Sequence, residues 1–408
     1  MPIPWILRHP ILRLLLALVF VWAFAFGLTM PFLTLTARDR GVSLDAIGLI
    51  AASFLLTQIV FQVPLGALSD RVGRAGPLAT GIALFSLATV GFTQADSAAA
   101  FMLLRAAQGV AFALGLPAYR ALVADVTAPD QRGRAYATLG MAYSGGLLLG
   151  PAIGGLLVHS LGRDDLFLMT AAMEAALAAG VVVFLRGAGR PGQRGTRSER
   201  VPLSALLVRP LVAAFLLGFA GHLQYGFFES IWALYVADRG GGDVAIGLSF
   251  STFAIANLAL APLGGRLADR GDYPRWLLVG FLGLAAVMVG YGFASWVPAI
   301  LLLGLCEGAA AAIAFPTLDA YLASRADPRI QGRIQGRFSS AMMAGAASSA
   351  LGGSILYTLA PGLPFVLGGT TLAAVTIVAV GLIREVGRTA QSGTEEAAPA
   401  PVPHSVAV

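Results

Sequence analysis

Lysine is absent from this chain of 408 residues, and all 27 basic residues are arginines. Its absence removes the GxxxxGK[ST] phosphate cradle, so the chain carries no P-loop with which to drive itself by nucleotide hydrolysis. Schiff-base chemistry on a lysine is excluded as well. Cysteine is nearly absent. Cys306 stands alone, which rules out an intrachain disulfide and any CxxC metal or redox pair; it is expected to fill a small space in a buried helix. Charge of either sign is scarce, at 12% of residues, where a soluble domain carries roughly 25%. A soluble globular enzyme, a disordered chain and a disulfide scaffold are therefore excluded.

What the chain has is apolar length. Hydrophobic residues make up 57% of it, and the mean hydropathy is +0.79. A membrane-crossing helix needs about 20 apolar residues. Apolar runs begin near Ile11, Ala46, Pro77, Ala98, Ala135, Leu166, Leu211, Ala245, Trp276, Val297, Phe338 and Leu363. They predict an all-α polytopic membrane protein of twelve transmembrane helices. The first run is too long for a signal-peptide core and lacks a small-residue cleavage site, so it is expected to stay as a helix. Assigning the loops alternately to two sides puts 21 arginines on the side of the termini and four on the other, with Arg105 and Arg120 inside helix 4. By the positive-inside rule both termini are cytoplasmic, in an inner or plasma membrane. The basic balance thus reports orientation and predicts no nucleic-acid partner.

A repeat at a constant offset of 199 residues organises the chain. Ala46-Ile47-Gly48-Leu49 returns as Ala245-Ile246-Gly247-Leu248, and Asp70-Arg71 returns as Asp269-Arg270. Gly109 and Pro117 return as Gly308 and Pro316, and Gly133-Arg134 as Gly332-Arg333. Chance hydrophobic similarity would match leucines and alanines, whereas these matches fall on Gly, Pro and charged residues. Two parallel six-helix repeats with a cavity between the halves are a transporter architecture. The expected divisions are 1–186, a basic linker at 187–204, 205–388 and a disordered tail at 389–408. The linker contains Gly187-Ala-Gly189-Arg-Pro-Gly192, a formal GxGxxG, but no strand precedes it and proline interrupts it, so no dinucleotide cofactor is expected.

Gly66-Ala-Leu-Ser-Asp70-Arg71-Val-Gly73-Arg74 lies between helices 2 and 3. This segment resembles the GxLaDRxGR loop of the major facilitator superfamily, and the likeness covers all twelve helices. Gly66 permits close helix approach. Asp70 can accept hydrogen bonds at a helix N-terminus of the other half, and Arg71 and Arg74 can pair with Asp125 or with the carbonyl ends of helices. The resemblance implies that this loop latches the outward-facing state. Gly146-Leu-Leu-Leu-Gly150-Pro151-Ala-Ile-Gly154-Gly155 in helix 5 is similar to the GxxxGPxxGG motif of the family's twelve-helix drug/proton antiporters. That likeness implies export of a small molecule against an inward flow of protons.

Arg105-Ala-Ala-Gln108-Gly109 resembles the family's RxxqG motif in helix 4. A charge within a membrane helix is costly unless it meets a partner or water, and so marks a functional site. The repeat places Glu307 opposite Gln108, and the family lines its cavity with helices 1, 4, 7 and 10. Helix 7 adds His222, Tyr225, Gly226 and Glu229 at offsets that put them on one helix face. A carboxyl kept from water favours its protonated form and so can carry a proton. Glu307 is expected to be the main coupling site, tuned by Arg105. Glu229, roughly 27 Å along helix 7 at 1.5 Å per residue, is expected near the outer interface. Glu174 in helix 6 has no evident partner.

The leading functional reading is a proton-coupled exporter of a small lipophilic or amphipathic molecule. A facilitator or importer of a sugar or small metabolite is the alternative within transport. An intramembrane serine hydrolase using Ser144 and His222 is the alternative outside it, though no third group orients the histidine and the repeat would go unexplained.

Overall fold

The computed structural model describes residues 9–128, 131–185, 208–325 and 331–395, and among them every regular element is an α-helix. The N-terminal half contains α1 (Pro10–Asp39), α2 (Leu44–Val72), α3 (Ala75–Gly91), α4 (Ala98–Val126), α5 (Arg132–Leu161) and α6 (Arg163–Phe184). The C-terminal half begins with α7 in three pieces, α7a (Arg209–Gly221), α7b (Leu223–Ser230) and α7c (Trp232–Ala237). It continues with α8 (Asp243–Asp269), α9 (Tyr273–Phe293), α10 (Val297–Arg325), α11 (Gln331–Leu359) and α12 (Leu363–Glu395). Ten helical stretches among the described residues are long and apolar enough to cross a bilayer. The 17-residue α3 and the Ala-, Ser- and Gly-rich α11 fall outside those ten and complete the twelve.

The repeat is visible in the helix ends. Shifting α4 by 199 residues lands on both ends of α10, and the starts of α2 and α5 land on those of α8 and α11. It also recurs in a clamp that spacing alone did not bring to notice. After α1, Arg40 donates to the carbonyls of Phe92 and Ala95 at 2.6 and 2.7 Å; after α7c, Arg239 donates to Ala294 at 2.6 Å. Arg40 and Arg239, and Ala95 and Ala294, are each 199 apart. Each arginine precedes a glycine with φ near +80°, Gly41 and Gly240, where a side chain would be strained. The guanidinium thus satisfies carbonyls at a loop that the helices leave open.

Between membrane helices there is little hydrophobic drive, so close packing by small residues carries the assembly. The Gly146–Gly155 segment of α5 illustrates this. A Cβ at Gly146 would lie 2.5 Å from the Phe20 carbonyl oxygen, and one at Gly150 2.6 Å from that of Phe24, both on α1. Gly155 faces the other way, where a Cβ would meet the Asp243 carbonyl of α8 at 2.5 Å. The motif therefore binds α1 on one side and the opposite half on the other.

The halves meet along two seams, α2 with α11 and α5 with α8. Those contacts sit toward the face opposite the chain termini, here the far face. Gly48 backs onto Ala350 and Ser354, and Ser251 donates to the Leu148 carbonyl at 2.6 Å. At the far face itself, Arg38 pairs with Asp238 at 2.7 Å and Arg163 with Asp243 at 3.8 Å, each across the halves. Tyr357 adds a hydrogen bond to Asp238 at 2.7 Å. Toward the face that carries the termini, the described ion pairs (Arg74 with Asp70 and Asp125, Arg209 with Glu385) stay within one half. There Val63, in the last third of α2, is 79% exposed. The cleft between the halves opens toward the terminal face.

Two expectations change. Cys306 is exposed rather than buried, because Glu307 beside it points inward and a helix turns about 100° per residue. The last helix runs to Glu395, into the segment expected to be disordered from Thr389. An anchored helix propagates cheaply, and no proline interrupts before Pro399. The linker at 187–204 lies outside the described residues.

Candidate functional site

Arg105 sits seven residues into α4, about 10 Å from its far-face end at 1.5 Å per residue. It is buried; both terminal nitrogens of its guanidinium are engaged, while Nε has no hydrogen-bond partner. Nη2 forms an ion pair with Glu229 of α7b, Nη1 donates to Gln108 Oε1 at 2.8 Å, and the Phe54 ring lies 4.0 Å beneath it. Arg105 belongs to one half and Glu229 to the other, so this pair joins them about 10 Å in from the far face. The side chains are 4% and 0% exposed. Removing one partner of such a dry pair costs about 3–5 kcal/mol, because the other charge is left behind.

A polar chain continues away from this pair. Gln108 Nε2 donates to the Thr89 hydroxyl at 3.1 Å, and Thr89 reaches Glu174 Oε2 at 3.1 Å. Glu174, on α6, thus has a partner after all, and four helices (α7b, α4, α3 and α6) are wired in series. Thr89 Oγ1 also lies 2.9 Å from the Phe85 carbonyl. Its single hydrogen can serve either Phe85 or Glu174 at one time.

Glu307 occupies different surroundings from those expected. It is buried on α10 and accepts a hydrogen bond from the Tyr291 hydroxyl at 2.8 Å. Arg105 meets Glu229 and not Glu307. The misassignment follows from α7, which is not the straight rod assumed. It breaks at His222 and again at Ile231, and α7c carries the chain on to the far face. Glu229 is consequently buried, at 5% exposure, rather than hydrated at the outer interface.

Of the helix 7 residues expected on one face, His222 sits at the first break, while Tyr225, Gly226 and Glu229 stay together on α7b, with Tyr225 beside Glu229. Glu229 turns to Arg105, and Gly226 backs onto the Ala346 carbonyl of α11. His222 and Tyr225 turn into a cavity of about 200 Å³ inside the C-terminal half, which Glu307 also lines. His222 Nδ1 lies 3.1 Å from the Gly218 carbonyl, and its ring stacks edge-on against Phe315. Gln224 lines the same cavity, buried, with neither amide atom hydrogen-bonded. Each buried polar atom left so costs about 1–3 kcal/mol. A larger apolar groove of about 370 Å³ runs between α1 and α6, past Leu14, Val21, Met173 and Phe184. It offers no charged or amide side chain, so the chemistry belongs to the smaller cavity and the ion pair.

The loop between α2 and α3 gathers on Arg74, which pairs with Asp70 and, at 3.1 Å, with Asp125. Burial opposes the Arg74 charge, and hydrogen bonds and charges from Asp70 and Asp125 outweigh it, so its pKa is raised. Asp70 therefore faces its own loop here, Gly73 makes the turn at φ +93°, and Arg71 is exposed. Gly66 lies against Pro117 of α4.

Thr89, Tyr291 and Gln224 escaped sequence reasoning. A hydroxyl or amide in an apolar helix carries no spacing signal. The break at His222 had one, in Gly218 and Gly221 immediately before it.

Comparison with known proteins is consistent with this geometry. The family model described as Major Facilitator Superfamily matches residues 15–242 and 215–407. The tetracycline resistance protein, class G, of Vibrio anguillarum is 28% identical over 362 residues, covering 83% of this chain and 88% of that protein. The quinolone resistance protein NorA of Staphylococcus aureus is 24% identical over 221 residues, 54% of this chain and 57% of its own. Multidrug resistance protein 1 of Bacillus subtilis is 25% identical over 238 residues, 58% and 61% of the two chains. Among solved structures, a bacterial homologue of the human lysosomal transporter Spinster, inward-facing and unoccupied, superposes with a TM-score of 0.71 at 14% identity. That match covers 95% of this chain and 98% of that one. The human organic anion transporter MFSD10 (TETRAN) superposes at 0.62 and 21% identity, covering 91% and 100%.

Proposed function

The chain belongs to the major facilitator superfamily, and on that premise we propose that it exports a small lipophilic or amphipathic molecule in exchange for protons. It is a transporter rather than an enzyme: His222 is engaged with the Gly218 carbonyl and Phe315, and the relatives are transporters. Relatives named for tetracycline, quinolone and multidrug resistance support a small-molecule cargo moving outward. The arginine excess supports placing the terminal face in the cytoplasm of a cell or inner membrane, which makes the described state inward-open.

The observation that carries the coupling is the buried Arg105–Glu229 pair across the halves. Opening the far face must part α4 from α7b, so Glu229 exchanges Arg105 for a proton from the outside, its charge neutralised in either state. The return of Arg105 therefore releases that proton to the inside, and the re-formed pair holds the far face shut. Cargo binding in the open cleft drives the next cycle. In this reading Glu229 replaces Glu307 as the coupling carboxyl, since Glu307 bonds within its own half and lines the cavity. Asp70, Arg71 and Arg74 remain available to latch the terminal face in the opposite state.

Proteoliposomes containing the purified chain test it. Tetracycline or ethidium should accumulate against its gradient only when an inward proton gradient is imposed, and Glu229→Gln should abolish accumulation while sparing downhill exchange. Accumulation in the Glu229→Gln variant would overturn the assignment.

A further inference from the structure

The cavity in the C-terminal half has features that the coupling scheme does not use. It lies between α7, α8, α9, α10 and α12, on one side of the cleft rather than across it. Gln224 is 6% exposed, and both Oε1 and Nε2 lack partners. Natural proteins rarely leave such an amide unpaired, and each instance calls for an explanation, a bound group among them. Next to it, His222 Nδ1 faces a carbonyl oxygen, which can only accept. Nδ1 therefore carries the hydrogen, and in the neutral ring Nε2 is an acceptor. Most of the wall is apolar, with the rings of Phe228, Phe253 and Phe315 beside Met288, and Tyr225 and the Glu307 carboxyl, held by the Tyr291 hydroxyl, complete it. Backbone hydrogen bonding is interrupted where α7a gives way to α7b at His222, and broken helices of this kind form substrate sites in transporters.

We infer that this cavity is a cargo subsite for a planar aromatic group whose edge carries a hydrogen-bond donor beside an acceptor, as in a carboxamide or lactam. The Gln224 amide is self-complementary to such an edge: Nε2 gives to the ligand carbonyl and Oε1 takes the ligand N–H. His222 Nε2 accepts a second N–H where the ligand has one. The aromatic walls sandwich the ring. A cavity of about 200 Å³ admits a one- or two-ring fragment and leaves the rest of a larger cargo in the cleft. This deepens the transport reading and rests on it only in calling the ligand cargo; the binding itself does not require a gradient.

Calorimetric titration of the detergent-purified full chain tests the subsite with three probes: 1-naphthamide, N,N-dimethyl-1-naphthamide and 1-naphthylmethylamine. The wild type should bind 1-naphthamide at least tenfold more tightly than the dimethyl amide, which lacks the donor, and more tightly than the amine. Gln224→Leu should erase that preference while leaving weak binding of the dimethyl amide in place. Its melting temperature should hold or rise, because an unpaired buried amide has been replaced by an apolar group; a purely structural amide would make it fall. Gln224→Met supplies the same comparison should the leucine variant express poorly. Equal binding of the two amides by the wild type, tighter binding of the amine, or a preference that survives both variants would each overturn the inference. Binding with the expected preference but without gradient-driven export would leave the subsite standing and remove the transport reading instead.

Discussion

Arg105→Met gives the most direct measure of what joins the two halves. The substitution leaves Glu229 buried without its cation, a loss of about 3–5 kcal/mol for a dry pair. Gln108 Oε1 also loses its donor, worth about 1 kcal/mol, and the contact with the Phe54 ring at 4.0 Å loses its charge, worth about 0.5–2 kcal/mol. The low end of the pair's range, about 3 kcal/mol against the far-closed state, is roughly a hundredfold shift in population at about 1.4 kcal/mol per tenfold. By contrast, the far-face pair Arg38–Asp238, with side chains 34% and 40% exposed, is worth at most about 1 kcal/mol. Spin labels at Val63→Cys on α2 and Leu263→Cys on α8, in a Cys306→Ser background, report the width of the terminal face. The wild type should give the long distance of the open cleft, and Arg105→Met should shift weight to a shorter one. Arg105→Met combined with Glu229→Met should restore the long distance, because an apolar pair of similar volume costs little. A single variant with the wild-type distribution, or a double variant displaced as far as the single, would refute the argument.

Glu307→Gln should weaken cargo affinity about tenfold yet keep the response to a proton gradient, measured by counterflow in proteoliposomes with and without the gradient. Thr89→Val removes the hydroxyl between Gln108 and Glu174, leaving buried groups unpaired; a loss of about 1–3 kcal/mol is expected, read as a lower melting temperature. Gly150→Val should destabilise by at least the roughly 1–3 kcal/mol of an overpacked core, since a Cβ there would lie 2.6 Å from the Phe24 carbonyl oxygen. An impermeant thiol reagent on intact cells should label Asp96→Cys and spare Ser198→Cys, both in the Cys306→Ser background; the reverse pattern would invert the orientation.

The helices and their pairing into halves were legible because both are local or periodic. Apolar length sets a span, and Gly48, Gly109 and Pro117 recur at 199 because their counterparts face equivalent neighbours; a Cβ at Gly109 would clash with the Phe54 carbonyl and one at Gly308 with that of Phe253. The partner of Arg105 was not legible. Its ion pair depends on how two halves tilt against each other and on the breaks in α7, and neither is a spacing along the chain. The same holds for Glu174, whose hydrogen bond comes from α3 and lies 85 positions away in sequence. Exposure of Cys306 was missed for a simpler reason: in a membrane protein the lipid side accepts a small apolar residue as readily as the core does.

The repeat also separates scaffold from chemistry in a way that residue types alone do not. Positions that return at 199 (Gly41 and Gly240, Arg40 and Arg239, Ala95 and Ala294) close loops and seat helices. Positions that do not return hold the site. Arg105 corresponds to Gly304, Glu229 to Met30, His222 to Ala23 and Glu307 to Gln108. A duplicated ion pair would hold the halves equally from both sides and leave no asymmetry for a gradient to act on. One arginine in one half and one glutamate in the other make the link directional: the N-terminal half supplies the fixed cation and the C-terminal half the carboxyl that can be neutralised. Moving the cation across, as in Arg105→Gly with Gly304→Arg, keeps the net charge and the helix count but places the guanidinium on the same half as Glu229. Its melting temperature should fall, because Glu229 loses its cation and a Cβ at Gly304 would lie 2.5 Å from the Thr252 hydroxyl; the folded fraction should bind cargo, yet it should not couple. Gradient-driven accumulation by that chain would mean that the pairing across the halves is not what ties the proton to the cargo.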